Sequence, residues 1–269
     1  MDTPTFSHHV VYLSHGGGPL PLLGDAAHQQ MTEKLSQLAV SIPRPEAILV
    51  VSAHWEDTVI NVSASSSPEL LFDYYGFAQQ AYQIRYPCKG SAELTSQVLM
   101  ALKSAGIEAR SDATRGLDHG VFVPLKIMYP AADIPVVALS LHSQLSPRLH
   151  IEVGKALGRL RGNLLVIGSG FSFHNMQAFS VSGGDADARN QRFQRWLHDT
   201  IMNKTYSEKV RQMQLTDWTQ APNARYCHPR EEHLLPLHVC YGVAGRMADK
   251  AIKMNVLGVE CQNFIWYSR

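Results

Sequence analysis

The chain has 269 residues, of which 45% are hydrophobic and 17% are charged, and its formal net charge is +1. This length and composition are typical of a globular protein with a large core, and we predict one domain over residues 1–269. The near-neutral charge, without a basic run, argues against nucleic acid as a partner. No apolar stretch approaches the roughly 20 residues of a transmembrane helix, which argues against a membrane partner.

The N-terminus and the cysteines indicate the compartment. The first residues, MDTPTFSHH, lack the basic and apolar regions of a signal peptide. Cys88, Cys227, Cys240 and Cys261 are widely separated and contain no CxxC pair, as is typical of free thiols in a reducing compartment. We therefore expect a cytoplasmic protein, and the sequence predicts no oligomeric state.

Apolar runs alternate with segments of helical period along the chain. In chain order, the runs that predict buried strands are HHVVYLS, AILVVSA, IPVVALSL and NLLVIGSG. Helical stripes predict helices around Met31 to Ile42, Leu94 to Leu102, Leu149 to Leu160 and Phe193 to Ile201. The last segment predicts two antiparallel strands around a turn near Gly258. This pattern predicts an α/β fold with a central, mostly parallel or mixed β-sheet flanked by helices.

Histidines follow three of the predicted strands. His15 ends the first apolar run, His54 ends the run Ala47 to Ala53, and His174 follows LLVIGSG by a few residues. A single buried histidine is usually a packing residue with a backbone hydrogen bond. Three at strand ends favour an active site, because open α/β sheets gather ligand-binding groups at the carboxyl ends of their strands.

Two more histidines lie beside predicted helices. His119 is expected in a glycine-flanked turn just before a short helix whose first turn contains Pro124. His233 is expected in the first turn of a helix that starts near Pro229, with Pro236 still close to its start. The remaining histidines, apart from His228, are predicted to be surface or core residues without a functional role.

Several local motifs fail on spacing. HPREEH is not the zinc-peptidase pattern H-x-x-E-H, since His228 and His233 are five residues apart with Pro229 between them. GSGFS is not the nucleophile elbow G-x-S-x-G, and HGGGP lacks the spacing of a dinucleotide or phosphate loop. Converging imidazoles are, however, common ligands of zinc and ferrous iron.

Six motifs in order carry a family resemblance: SHGGGPLP, PRPEAILVVSAHW, GLDHG, YPAADIPVVALSL, GSGFSFHN and EEHLLPL. Through them the chain resembles the class III extradiol ring-cleaving dioxygenases, in the branch of the 4,5-DOPA extradiol dioxygenases. The resemblance runs nearly from end to end.

The resemblance implies roles for all five histidines. It makes His15, His54 and His233 the metal ligands and places His174 beside them as an acid/base or a further ligand. It implies that His119 is a second catalytic residue, which lines the substrate pocket and hydrogen-bonds the substrate or bound oxygen. A more distant branch uses a carboxylate as third ligand, so Glu232 competes with His233 for that role. The expected metal is non-haem Fe(II), and Zn(II) can occupy the same imidazoles in a purified sample.

The implied function is cleavage of the ring of a catechol-type, DOPA-like substrate with O2, by an oxidoreductase that incorporates both oxygen atoms. A metal-binding relative without ring cleavage and a zinc hydrolase are the alternatives. The substrate side chain is not predicted. Residues near the motifs that could contact it are Tyr74, Tyr75, Phe77, Tyr226 and Arg115.

Overall fold

The computed structural model describes residues 8–179 and 185–269. Within these ranges the strands are β1 (His9–Ser14), β2 (Ala47–Asp57), β3 (Ile60–Ser63), β4 (Ala109–Asp112), β5 (Val136–His142), β6 (Leu164–Gly170), β7 (Lys250–Val256) and β8 (Val259–Trp266). They form one mixed sheet in the order β4-β3-β5-β2-β6-β1-β8-β7. The predicted single-domain α/β fold with a mixed central sheet is confirmed, and its extent over residues 1–269 stays a prediction.

The centre of the sheet is parallel. β6 pairs in parallel with β1 and with β2, and β5 pairs in parallel with β2. The register aligns Ser14 with Gly170 and Ser52 with Ser169, so β1, β2 and β6 end at the same edge of the sheet. At the other side of β1, the predicted antiparallel pair β7 and β8 is confirmed, with Gly258 at its turn.

Helices cover both faces of the sheet. In the described chain the α-helices are α1 (Gln29–Ser41), α2 (Ala92–Ser104), α3 (His119–Met128), α4 (Pro147–Leu157), α5 (Asp185–Met202), α6 (Glu208–Thr216), α7 (Ala224–Cys227) and α8 (Leu235–Ala244). Gly168 of β6 faces α8, and the next residue, Ser169, faces α3. Because consecutive strand residues point to opposite faces, α8 and α3 cover opposite sides of β6. No helix in the described ranges is long and apolar enough to cross a membrane.

Three predicted boundaries near the histidines are wrong, and the first two belong to β2 and α3. β2 does not end before His54 but continues to Asp57, and its pairing with β5 shifts register between Val51 and Glu56. His54 therefore lies at an irregularity inside a strand, where a bulge re-aims side chains. α3 begins at His119 itself, so Pro124 lies inside the helix and not in its first turn.

The third wrong boundary is the start of α8. This helix begins at Leu235 and not near Pro229, and His233 lies in the turn just before it. The later start places Pro236 in the first turn, where its missing N–H leaves no helical hydrogen bond unmade. Glu232 and His233 thus precede the helix, so helical geometry does not set the directions of their side chains.

Candidate metal centre

Three imidazole nitrogens converge at the carboxyl edge of the sheet. His15 follows β1, His54 lies in β2, and His233 precedes α8. The Nε2 atoms of His15 and His54 are 3.0 Å apart, and those of His54 and His233 are 3.3 Å apart. One nitrogen from each of the three lies within 4.8 Å of the others. The fold thus brings together the three residues that the sequence predicted as ligands.

The other ring nitrogen of each histidine has its own neighbour. The Nδ1–H of His15 donates to Ser169 Oγ at 3.0 Å, because the Ser169 hydroxyl itself donates to a backbone carbonyl and must accept from the ring. The Nδ1–H of His233 donates to Glu232 Oε1 at 3.1 Å. The Nδ1 atom of His54 lies 3.6 Å from Asp73 Oδ2. These partners keep the proton on Nδ1 and leave the Nε2 lone pair free.

The Nε2 spacing fits a metal ion. Lone pairs that face each other at 3.0 and 3.3 Å repel unless a cation lies between them. Two metal–nitrogen bonds of about 2.1 Å at angles of roughly 90–109° place their nitrogens about 3.0–3.4 Å apart. The donor set therefore suits a divalent transition metal held by three imidazoles.

Burial keeps these imidazoles neutral. It lowers the pKa of His15 and of His54 well below the usual value, and the neighbouring imidazoles lower both further. Burial and the neighbouring His174 lower the pKa of His233 to about 3, although Glu232 opposes them. All three are consequently unprotonated at neutral pH, which is the form that binds a metal.

A proline in α3 contributes to the orientation of His15. Pro124 has no N–H, so the carbonyl of Gly120, four residues earlier, lacks its helical donor. Ser169 Oγ donates to that carbonyl and accepts from His15. Gly120 also permits the close approach of β2, since a Cβ there would lie 3.1 Å from His54 Cδ2.

Asp73 holds the fourth histidine. The backbone N–H and the Nδ1–H of His119 donate to Asp73 Oδ1 at 3.0 and 2.8 Å. Burial opposes ionisation of Asp73, but the bonds from His119 outweigh it and lower the pKa of the carboxyl below its usual range. The ring of His119 lies 4.0 Å from that of His54, centroid to centroid. His119 therefore borders the metal centre with its Nε2 atom unused by Asp73.

Glu232 joins the fifth histidine to the third ligand candidate. The ring of His174 stacks on that of His233 at 3.4 Å and 14°. Glu232 Oε1 lies 3.4 Å from His174 Nδ1 and accepts from His233, while Oε2 lies 3.2 Å from Arg230 Nη1. Burial opposes the charge, yet the bonds from both histidines lower the pKa of Glu232 far below its usual range. Among the described residues, potential ligand atoms of His174, Glu232 and His233 lie within 4.8 Å of one another, whereas His174 shares no such group with His15 or His54.

The five histidines line one cavity of about 390 Å³. Besides them, its wall includes Leu20, Tyr74, Phe77, Met176, Phe179 and Leu257. Of the residues that the sequence suggested for substrate contact, Tyr74, Tyr75 and Phe77 lie in this wall. Tyr226 and Arg115 do not belong to it. The cavity is concave and mostly apolar with a few convergent polar groups, as small-molecule sites are.

Comparison with known proteins identifies the family. A family model for the catalytic LigB subunit of aromatic ring-opening dioxygenase matches residues 8–262. The chain belongs to the LigB family. A structure of an uncharacterized protein from Escherichia coli K12 is similar to it, with a TM-score of 0.77 and 28% identity over 96% of this chain and 99% of that one.

Curated relatives of this LigB-family chain have dioxygenase names. The dioxygenase tasH of Hapsidospora irregularis is 35% identical, over 96% of this chain and 85% of its own length. A 4,5-DOPA dioxygenase extradiol of Beta vulgaris is 35% identical, over 87% and 86%. One from Escherichia coli is 31% identical, over 93% and 90%. The predicted resemblance to extradiol ring-cleaving dioxygenases is confirmed.

Sequence reasoning missed the residues that support the histidines. Ser169 belongs to GSGFS, which matches no catalytic motif, and none of the quoted motifs contains Asp73. His28, to which the sequence assigns no role, accepts a hydrogen bond at Nε2 from the backbone N–H of Gly17 at 2.9 Å. Its Nδ1 is hydrogen-bonded to Asp25 Oδ2 at 2.6 Å. In this LigB-family chain His28 therefore fixes the glycine loop that follows His15. A histidine three residues after an aspartate was the only available signal.

Proposed function

We propose that the protein is a non-haem, metal-dependent extradiol dioxygenase that opens the ring of a catechol-type, DOPA-like substrate with O2. The observation that carries this proposal is the convergence of three Nε2 lone pairs at 3.0 and 3.3 Å, with each Nδ1 next to an acceptor. His15, His54 and His233 would hold the ion. Fe(II) is the expected metal, and Zn(II) would fit the same imidazoles.

The ion would supply open positions for both catechol oxygens and for O2, and it would favour ionisation of the catechol. Three protein ligands are the usual number where coordination positions stay open for reactants. The apolar wall of the cavity would exclude water from the reacting ring.

The choice of third ligand favours His233 over Glu232. Glu232 Oε1 accepts from Nδ1 of His233, on the opposite side of the ring from Nε2. The carboxylate is further engaged by His174 and Arg230, so its role is to orient the ligand and to stabilise positive charge.

His174 would serve as the acid/base and not as a metal ligand. It lines the cavity, it is partly exposed, and its Nδ1 lies 3.4 Å from the Glu232 carboxylate. Its Nε2 atom would take a proton from a catechol hydroxyl, and the charge of Glu232 would stabilise the resulting imidazolium. His119, oriented by Asp73, would offer its own Nε2 to the substrate or to oxygen.

Anaerobic reconstitution tests the proposal. Protein loaded with one Fe(II) per chain is mixed with a catechol and then exposed to air, while an oxygen electrode and a spectrophotometer record O2 uptake and a yellow ring-opened product. Zn(II)-loaded protein and His54→Ala are the controls, and both should consume no O2. Ester hydrolysis by the Zn(II) form, without O2 uptake by the Fe(II) form, would favour a zinc hydrolase. Metal binding without either reaction would favour a non-enzymatic relative.

A further inference from the structure

The cavity extends beyond the histidines into an apolar region. Its volume of about 390 Å³ exceeds the roughly 150 Å³ that suffices for benzene in an engineered apolar cavity. The cavity therefore has room for a catechol ring and a substituent. The side chains outside the histidine cluster that would meet the substituent are Leu20, Phe77, Phe179 and Leu257, with Tyr74 and Met176.

The described residues offer no lysine or arginine side chain to a carboxylate on the substituent. Among the described residues, neither lysine nor arginine lines the cavity, and residues 1–7 and 180–184 contain neither. The arginines near the histidines are already engaged. Both Nη atoms of Arg230 contact Glu56, and Nη2 of Arg115 donates to the carbonyl of His54 and to Asp118.

Carboxylates border the cavity on the histidine side. Asp73 lies in its wall, and Glu232 lies directly behind His174 and His233. Their charge favours a metal ion at the histidines but repels a second anion. A carboxylate on the substituent would thus lose its hydration and find no partner in the apolar region.

We infer that the substrate is a catechol with an uncharged, apolar substituent, and that the cavity rejects catechols with a carboxylate side chain. The inference rests on the proposed function for the catechol ring itself. The inference makes the proposed DOPA-like substrate more specific. This substrate would have the catechol ring of DOPA but a neutral substituent in place of the charged amino-acid side chain. The preference for a neutral substituent over a carboxylate would come from the lack of a lysine or arginine in the described cavity wall as much as from apolar contact.

A matched pair of ligands tests the inference. 4-Propylcatechol and 3-(3,4-dihydroxyphenyl)propanoate differ mainly in the carboxylate at the end of the chain. We expect the metal-loaded protein to bind the neutral compound about 100-fold more tightly in anaerobic calorimetry. We expect the same order in kcat/KM from O2 uptake, with DOPA also disfavoured. Calorimetry decides the inference even where no O2 is consumed, so the proposed function can fail separately.

A charge introduced at the mouth of the cavity gives a second test. Met176 lies in the wall, is 69% exposed, and has no part in the histidine cluster. Met176→Arg should raise the affinity for the propanoate, relative to that for 4-propylcatechol, at least tenfold. Met176→Gln, a neutral control of similar length, should leave this ratio of affinities as it is in the unmodified protein. Equal or tighter binding of the propanoate by the unmodified protein, or no charge-specific gain in Met176→Arg, would overturn the inference.

Discussion

Removing the Ser169 hydroxyl should weaken metal binding although Ser169 does not reach the ion. The hydroxyl is fully buried and joins Nδ1 of His15 to the carbonyl of Gly120. In Ser169→Ala the His15 ring loses the acceptor that keeps its proton on Nδ1, so the Nε2 lone pair is no longer secured for the metal.

The expected magnitude follows from these two bonds. Loss of an outer partner of a metal-bound histidine typically costs 10- to 100-fold in affinity, or about 1.4–2.7 kcal/mol. The same change leaves a donor and an acceptor unpaired in the interior. Each unpaired group costs about 1–3 kcal/mol, so the free energy of unfolding of the metal-free protein should also fall by at least that amount.

A second buried serine separates the two effects. Ser63 Oγ in β3 accepts the N–H of Ala138 at 2.8 Å, and β3 carries none of the five histidines. Ser63→Ala should therefore lower stability without changing metal affinity. Zinc affinity is measured by competition with a chromophoric chelator, and stability by urea unfolding in EDTA. Equal zinc affinities for the two variants and the unmodified protein would refute the role given to Ser169.

Three further outcomes are expected. His174→Ala should keep its metal and bind catechol while its turnover falls about 100- to 10,000-fold; parallel loss of metal would make His174 a fourth ligand. His233→Gln should lose most of its metal and Glu232→Gln should retain it, as measured by metal content after dialysis; the reverse would make the carboxylate the ligand. Burial lowers the pKa of His150 from 6.5 to about 4. Between these two pH values only the unfolded chain binds a proton at His150, so the free energy of unfolding decreases as the pH is lowered. The unmodified protein should lose unfolding free energy between pH 7 and pH 5, and His150→Gln should lose about 2 kcal/mol less, as measured by urea titrations at both pH values. The same decrease in both proteins would disprove this role of His150.

The sequence predicted the sheet and the histidines because both are encoded locally. A buried strand appears as an apolar run, and a polar residue directly after it must lie at the strand's carboxyl end. His15 follows this rule directly, and His174 lies a few residues beyond the end of β6. His54 reached the site through an irregularity inside β2 that no periodic pattern marks. His233 was placed in the correct region although its helix starts later than expected.

The supporting residues were not predictable because their partners are distant in sequence. Asp73 is 46 residues from His119, and Ser169 is 154 residues from His15. Such pairs depend on which loops the sheet brings together, and single-sequence periodicity carries no information on that. Pro124 was a visible signal of a different kind. A proline inside an apolar helical window frees one carbonyl, and a buried donor elsewhere must satisfy it.

The charges around the histidines explain why the proposed neutral ligand set would be sufficient. The three imidazoles would bring no charge to a divalent ion, but carboxylates lie next to them: Asp73 beside His54 and His119, and Glu232 beside His233. Arg230 offsets one further carboxylate, Glu56, so two negative charges remain to balance the ion. A catechol that ionises on binding then adds negative charge to a balanced centre. A second anion on its side chain would have no counter-charge in the apolar cavity, so the electrostatics of the metal site itself favour an uncharged substituent.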